Sequence, residues 1–209
     1  MAYDALVFDL DGTLWNTLLP VTRAWNEVAR ESRGIPEVST EQIRAVMGLS
    51  HEEAFARLLP GISPQEREKA APIFYDREVK LLVENYLYGG VGEGLRALEK
   101  KYVLALVSNC QPEYLRRFFE LTGLGVHFKD AECHGGTGLT KGENISLVLR
   151  RNGLSQGAYV GDTAGDQIAA RQAGVDYYHV TYGFGAPAQE CSYFNSFTEL
   201  TQFFESLKA

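Results

Sequence analysis

The chain is expected to fold as an α/β core, a doubly wound parallel sheet, interrupted by an inserted all-α subdomain. Short apolar runs recur with amphipathic helical stretches between them, and these runs lack the polar alternation of a half-solvated strand. Such a sheet is covered by helices on both faces, with ligands lying beyond the carboxyl ends of its strands. Between residues 18 and 87 the strand pattern stops altogether, which predicts the insertion.

The first strand is read in "DALVFDL", residues 4–10, and it runs straight into Gly12 and Thr13. The helical interval follows. Val21, Ala24, Trp25 and Val28 share one helical stripe. Ser39 with Gln42, Ser50 with Glu53, and Ser63 with Glu66 have capping-box spacing, and Pro64 suits a first helical position. Pro72 is expected to kink or split the last of these helices. The division predicted is a core of 1–17 and 88–209 with a helical cap of 18–87, placed above the end of the first strand where it could act as a lid.

"YVLALVS", residues 102–108, is the next strand, and "QPEYLRRFFELTG" the next helix, with Pro112 near its start and Gly123 at its end. A weaker strand is read at 129–134. The glycines Gly135, Gly136 and Gly138 are expected to form a mobile hairpin in preference to a phosphate nest. "GENISLVLRRNG" keeps Ile145, Val148 and Leu149 on one face and stops at Gly153. Strands at 158–162 and 176–182 complete the pattern.

Composition narrows the class. The 209 residues are 45% hydrophobic and 22% charged, as in an ordinary globular protein, with a net charge of −7. That balance argues against nucleic acid or an anionic membrane as partner. The longest purely apolar run, "VLALV", is too short to span a bilayer. Asp4, Asp9 and Asp11 stand where a signal peptide would carry basic and then apolar residues. Cys110, Cys133 and Cys191 are odd in number and scattered, so a reduced, cytoplasmic setting is expected. The chain is expected to be a monomer or homodimer.

Four short motifs carry chemistry. Asp9 and Asp11 are two carboxylates at a strand end, tolerable if a divalent cation sits beside them; Mg²⁺ prefers oxygen ligands, and a carboxylate can also attack phosphorus. Taken alone, the pair is equally a solvated strand end. Ser108 and Asn109 stand where a strand gives way to a helix, a position open to phosphate or to plain capping. Lys141 opens a helix and could neutralise a phosphate and an aspartate together, though a solvated surface lysine looks the same in sequence. Asp162 and Asp166 form a second acidic pair at a second strand end, where capping is the alternative. Two such pairs are harder to explain by capping than one.

The order DLDGT, Ser, Lys, GDxxxD resembles the haloacid-dehalogenase-like superfamily of aspartate-nucleophile hydrolases, and the helical insertion resembles that superfamily's C1 cap. "YGGVGEGLRALEK" and "TYGFG" are most similar to its phosphoglycolate-phosphatase-like branch. The resemblance implies an Mg²⁺-dependent phosphatase acting on a small phosphorylated metabolite, phosphoglycolate-like or a sugar or nucleotide phosphate. It makes Asp9 the nucleophile and a metal ligand. Asp11 becomes the proton donor and acceptor, lending a backbone carbonyl to the metal. Ser108 and Lys141 bind the phosphoryl oxygens, with Gly12, Thr13 and Asn109 beside them. Asp162 ligates Mg²⁺, and Asp166 does so directly or through water. In the cap, "MGLSHEEAF" resembles the substrate-specificity loop, so Ser50 and His51 are the polar candidates to face the site. The chain departs from its relatives at Asn16, often Asp; at Gly142, often Pro; and at Tyr182, often Trp. A sugar-phosphate mutase of the same superfamily is the alternative, though Thr13 leans toward hydrolysis. A phosphoacceptor protein similar to a receiver domain is the alternative from another class, and the cap and the late GDxxxD argue against it.

Overall fold

The computed structural model describes residues 3–32, 34–83 and 85–207. Its first strand, β1 (Ala5–Phe8), is buried at every position because helices cover both of its faces. Leu6 and Phe8 point to one side, against Leu95, Phe118, Phe197 and Phe204. Ala5 and Val7 point to the other, against Ile145, Val148 and Tyr159. Alternate side chains therefore enter two separate cores, and the run has no polar face. Each large apolar side chain so buried contributes roughly 1.5–3 kcal/mol.

Four helices follow: α1 (Leu18–Glu31), α2 (Thr40–Arg44), α3 (His51–Leu58) and α4 (Pro64–Leu81). The chain then continues through α5 (Val91–Leu98), β2 (Val103–Ser108), α6 (Pro112–Thr122), a 3₁₀ turn at Leu124–His127 and β3 (Asp130–Cys133). After these come α7 (His134–Thr137), α8 (Lys141–Arg151), β4 (Gly157–Gly161), α9 (Ala164–Ala173), β5 (Asp176–Val180), β6 (Tyr193–Phe194) and α10 (Phe197–Ser206). The six strands order as β3-β2-β1-β4-β5-β6, and every pairing is parallel. From β1 the sheet grows one way to β3, then restarts on the other flank of β1 at β4. The crevice of a doubly wound sheet opens at that reversal, between the carboxyl ends of β1 and β4. Asp9 and Asp162 are the residues immediately past those two ends.

The helices α1–α4 enclose an apolar cluster of their own, centred on Trp25, Phe55 and Phe74 with ring centroids 4.5–5.0 Å apart. All three serine capping boxes form. Helix α4 runs through Pro72 without splitting. An interior proline costs about 3 kcal/mol, and burial of Ala71 and Phe74 on either side works against that cost. Two connections join this layer to the sheet and lie side by side. Asn16 N–H donates to Tyr86 O at 2.8 Å, and Tyr88 N–H donates to Leu14 O at 3.0 Å. The Asn16 side chain accepts from Leu18 N–H at 3.4 Å, at the first turn of α1.

Two further findings depart from the sequence reading. The glycine-rich stretch after β3 is the short helix α7, not a hairpin. Gly138, at φ +71°, closes it by donating to His134 O, and the Thr137 hydroxyl bonds Asn144 Oδ1. Strand β6 and helix α10 were not anticipated. Two residues are too few to show a period, whereas α10 buries Phe197, Leu200 and Phe204 against the core.

Candidate active site

The floor of the site is built from strand ends. Asp9 is 1% exposed and continues the β1 ladder, its N–H donating to Val160 O at 2.9 Å. The next turn needs Gly12 at φ +86°, and a Cβ there would fall 2.2 Å from Asp162 Oδ2. Gly183 is pressed on the same carboxylate, with a would-be Cβ at 2.3 Å. Asp162 Oδ2 in turn accepts from Phe184 N–H at 2.6 Å. The late glycine turn thus clamps Asp162, and Tyr182 holds that turn down by donating to Thr13 O at 2.9 Å.

Lys141 is the first residue of α8, whose start Thr140 caps. Its ammonium is buried and lies 2.9 Å from Asp9 Oδ1 and 2.6 Å from Asp166 Oδ1. Burial works against this charge, but Asp166 and Asp9 outweigh it and hold the ammonium well above its usual range. Asp166 Oδ2 accepts from the N–H groups of Asp162 and Thr163 at 3.1 and 2.9 Å, and from the Thr163 hydroxyl. The helix cap of α9 is therefore Thr163, a residue that the sequence reading passed over, with Asp166 closing the capping box. Asp166 braces the loop and the lysine, and both its oxygens are committed.

Asp9 Oδ2 and Asp162 Oδ1 are different. Both are buried, and neither has a hydrogen-bond partner among the described residues. Oxygens of Asp9, Asp162 and Asp166 lie within 4.8 Å of one another, the one such acidic, histidine or cysteine group among the described residues. Two carboxylates of one cluster, each with a bare buried oxygen, fit a hard divalent cation. Burial pushes the Asp9 carboxyl up to about 7, although Lys141 pulls the other way. Burial, with repulsion from Asp166 and Asp9, pushes Asp162 up as well.

Asp11 faces the same cavity in another setting. Its Oδ1 accepts from Trp15 Nε1 at 3.0 Å, Thr17 Oγ1 at 2.5 Å and Tyr114 OH at 2.7 Å. Burial still pushes its carboxyl up, against those hydrogen bonds. Tyr114 sits on α6 and Thr17 just before α1, so only folding brings them to Asp11. Trp15 is the one partner that local spacing could have suggested.

The cavity above this floor has a volume of about 70 Å³, room for several waters at about 10–15 Å³ each. Ser108, Asn109 and Cys110 line one side, and Trp25, Met47, His51 and Glu78 line the other. Asn109 also ties core to wall, its Nδ2 donating to Gly48 O at 2.9 Å. Thr13 is fully buried, with its hydroxyl unpartnered. Ser50 caps α3, its hydroxyl exchanging hydrogen bonds with Glu53, and it does not line the cavity. His51 does. Cys110 is a packed thiol; its hydrogen bond to Cys133 and its burial push it well up.

Residues 6–180 match the model of a family described as haloacid dehalogenase-like hydrolase. Over 195 residues the chain is 31% identical to a phosphoglycolate phosphatase of Vibrio cholerae, covering 86% of this chain and 84% of that one. It is 32% identical over 188 residues to a phosphoglycolate phosphatase of Xanthomonas campestris, with the same 86% and 84% covered. A haloacid dehalogenase-like family hydrolase of Streptococcus pneumoniae superposes with a TM-score of 0.85 at 24% identity, over 97% of this chain and 98% of that one. No helix among the described residues is long and apolar enough to cross a membrane.

Proposed function

We propose, from the premise that the chain belongs to the haloacid dehalogenase-like hydrolase family, that it is an Mg²⁺-dependent phosphatase of a small phosphomonoester working through an aspartyl phosphate. The observation that carries this reading is the asymmetry of the two buried carboxylates. Asp9 has one oxygen on Lys141 and one bare, Asp162 has a bare oxygen too, and the two carboxylates belong to one acidic cluster whose oxygens lie within 4.8 Å of one another. A buried acid left half unsatisfied costs stability, about 1–3 kcal/mol per missing partner. Structure alone gives no return for that cost.

Asp9 attacks phosphorus, and the bond to the leaving oxygen breaks. Asp11 gives its proton to that oxygen, so the alcohol departs neutral. Water then attacks the phosphoryl group on Asp9, Asp11 takes the proton back, and phosphate leaves with Asp9 restored. An acid raised by burial, with all three donors gathered on one oxygen, suits this exchange. Lys141 holds Asp9 in place and lowers the repulsion met by an incoming phosphate dianion. Ser108 and Asn109 border the volume where the phosphoryl group would lie. Mg²⁺ held by Asp9 and Asp162 would supply the remaining positive charge. The helices α1–α4 serve as the cap over the leaving group. The relatives' names support a small phosphomonoester as substrate.

Replacing Asp9 by Asn keeps an oxygen for Lys141 and removes the nucleophile. Hydrolysis of p-nitrophenyl phosphate should fall at least about 10⁴-fold, with an unchanged circular-dichroism spectrum. Activity near wild type would refute the mechanism.

A further inference from the structure

The wall of the cavity carries its own buried polar group, on which the floor chemistry makes no demand. Glu78, in the interior of α4, is 4% exposed. Its Oε1 accepts from Trp25 Nε1 at 2.7 Å, and its Oε2 lies 3.2 Å from His51 Nε2. The other ring nitrogen, His51 Nδ1, is buried and has no hydrogen-bond partner among the described residues. Both Glu78 and His51 line the cavity.

The charge of this pair is bounded by its hydrogen bonds. A single proton lies in the contact between His51 Nε2 and Glu78. With none on Nδ1 the pair carries −1, and a second proton on Nδ1 brings it to 0. A net +1 would set two N–H or O–H donors against each other across that contact. Among the described residues lining the cavity there is no lysine and no arginine. Lys141 is committed below to Asp9 and Asp166. Arg44 packs over the Phe184 ring, 5.6 Å from its centroid, and does not line the cavity.

A second cavity, of about 370 Å³, shares His51, Glu78 and Tyr114 with the first. Its lining adds Glu113 and Asp76, the latter paired with Lys80, and the one arginine there, Arg116, is paired with Glu120. Beyond the floor the pairs Asp76–Lys80 and Arg116–Glu120 each cancel, which leaves Glu78 and Glu113 as the acidic lining residues, and the one unused buried nitrogen accepts a hydrogen bond whenever the ring is neutral. With the ring neutral, a carboxylate placed there meets Glu78 with no cation to offset it.

Resting on the phosphatase reading above, we infer that the substrate is a phosphomonoester whose leaving alcohol carries a hydroxyl or ammonium group and no carboxylate, with the His51–Glu78 pair reading that group. Trp25 positions Glu78, and Glu78 takes His51 Nε2, which leaves Nδ1 as the ring nitrogen without a partner among the described residues.

The test uses the wild-type protein with Mg²⁺ at pH 7.5 and three esters of matched length: 2-aminoethyl phosphate, 2-hydroxyethyl phosphate and 2-phosphoglycolate. The value of kcat/KM for at least one of the first two should exceed that for phosphoglycolate by about tenfold or more, as like-charge placement in a low-dielectric cavity requires. Which of the two leads separates ammonium from hydroxyl recognition. In Glu78→Gln, which keeps an acceptor for Trp25, the gap should narrow mainly through KM. The wild-type ratio decides even where that variant does not fold. Phosphoglycolate turned over as well as or better than both others overturns the inference alone, as does a folded Glu78→Gln with an unchanged ratio. Failure to hydrolyse any of them, or p-nitrophenyl phosphate, overturns the phosphatase reading and this inference together.

Discussion

The floor and the wall of the cavity are held by opposite means. On the floor, Asp9, Asp162, Asp166 and Lys141 meet within a few ångströms, each placed by the end of a strand or the first turn of a helix. On the wall, three helices that pack their apolar side chains together bring one carboxylate, one imidazole and one indole into contact. The floor is dense in charge and generic in what it can grip, namely a phosphoryl group and a cation. The wall is sparse in charge, so a single group such as Glu78 decides which ligand it accepts. Where charges are many they offset one another, and where there is one it selects.

Breaking the floor should have the largest effect. Lys141→Met leaves Asp9 and Asp166 as buried carboxylates without their counter-charge. Removing one partner of a buried pair costs about 3–5 kcal/mol. At roughly 2–4 °C per kcal/mol for a chain of this size, the melting temperature should drop by about 10 °C, measured without metal. A drop of a degree or two would mean that the lysine is dispensable to the fold and the floor less tightly coupled than its distances imply.

The next effect belongs to the cation and to pH. Burial raises Asp9 from 3.8 to about 7 in the folded chain, and raises Asp162 too. Between those pH values the folded state holds more protons than the unfolded state, so metal-free stability falls as pH rises through the window. A cation needs the same carboxylates deprotonated, so its binding strengthens over that range. The gain in melting temperature from Mg²⁺ should therefore be small at pH 5 and large at pH 7.5. At a hundredfold excess over its dissociation constant the gain is about 2.7 kcal/mol. An equal gain at both pH values would place the ion elsewhere, and the wall should show no such dependence on metal.

This contrast also explains what the sequence disclosed. Asp9, Asp11, Ser108, Lys141, Asp162 and Asp166 all sit at strand ends or helix starts, where local spacing fixes the direction of a side chain. Their motifs could be read in line, and the cavity and its floor do gather them. The parallel sheet was legible for the same reason, since unbroken apolar runs such as 5–8 and 104–107 imply cover on both faces. Glu78 was not legible. It lies 53 residues from Trp25 and 27 from His51, inside a helix of low amphipathicity, and looks in sequence like any solvated glutamate. Tyr114 and Thr17 escaped likewise, because their shared target Asp11 is reached only when α6 and the start of α1 pack together.

Tyr114 is where floor and wall meet, and it gives the smallest and most discriminating test. Its hydroxyl donates to Asp11 Oδ1 at 2.7 Å, and its side chain lines both cavities. Tyr114→Phe removes one of three donors that favour the ionised form of Asp11, so the carboxyl, already raised by burial, rises further. Activation of water requires that carboxylate ionised. The acid limb of the kcat profile should therefore move to higher pH, and kcat at pH 7 should fall about tenfold, the scale of one hydrogen bond to a charged group. The phenyl ring still fills the space between the cavities, so KM for a small ester should hardly change. A rise in KM with an unmoved pH profile would assign Tyr114 to the wall instead, reading the leaving group beside His51. The split between kcat and KM thus tells which side of the cavity owns the residue they share.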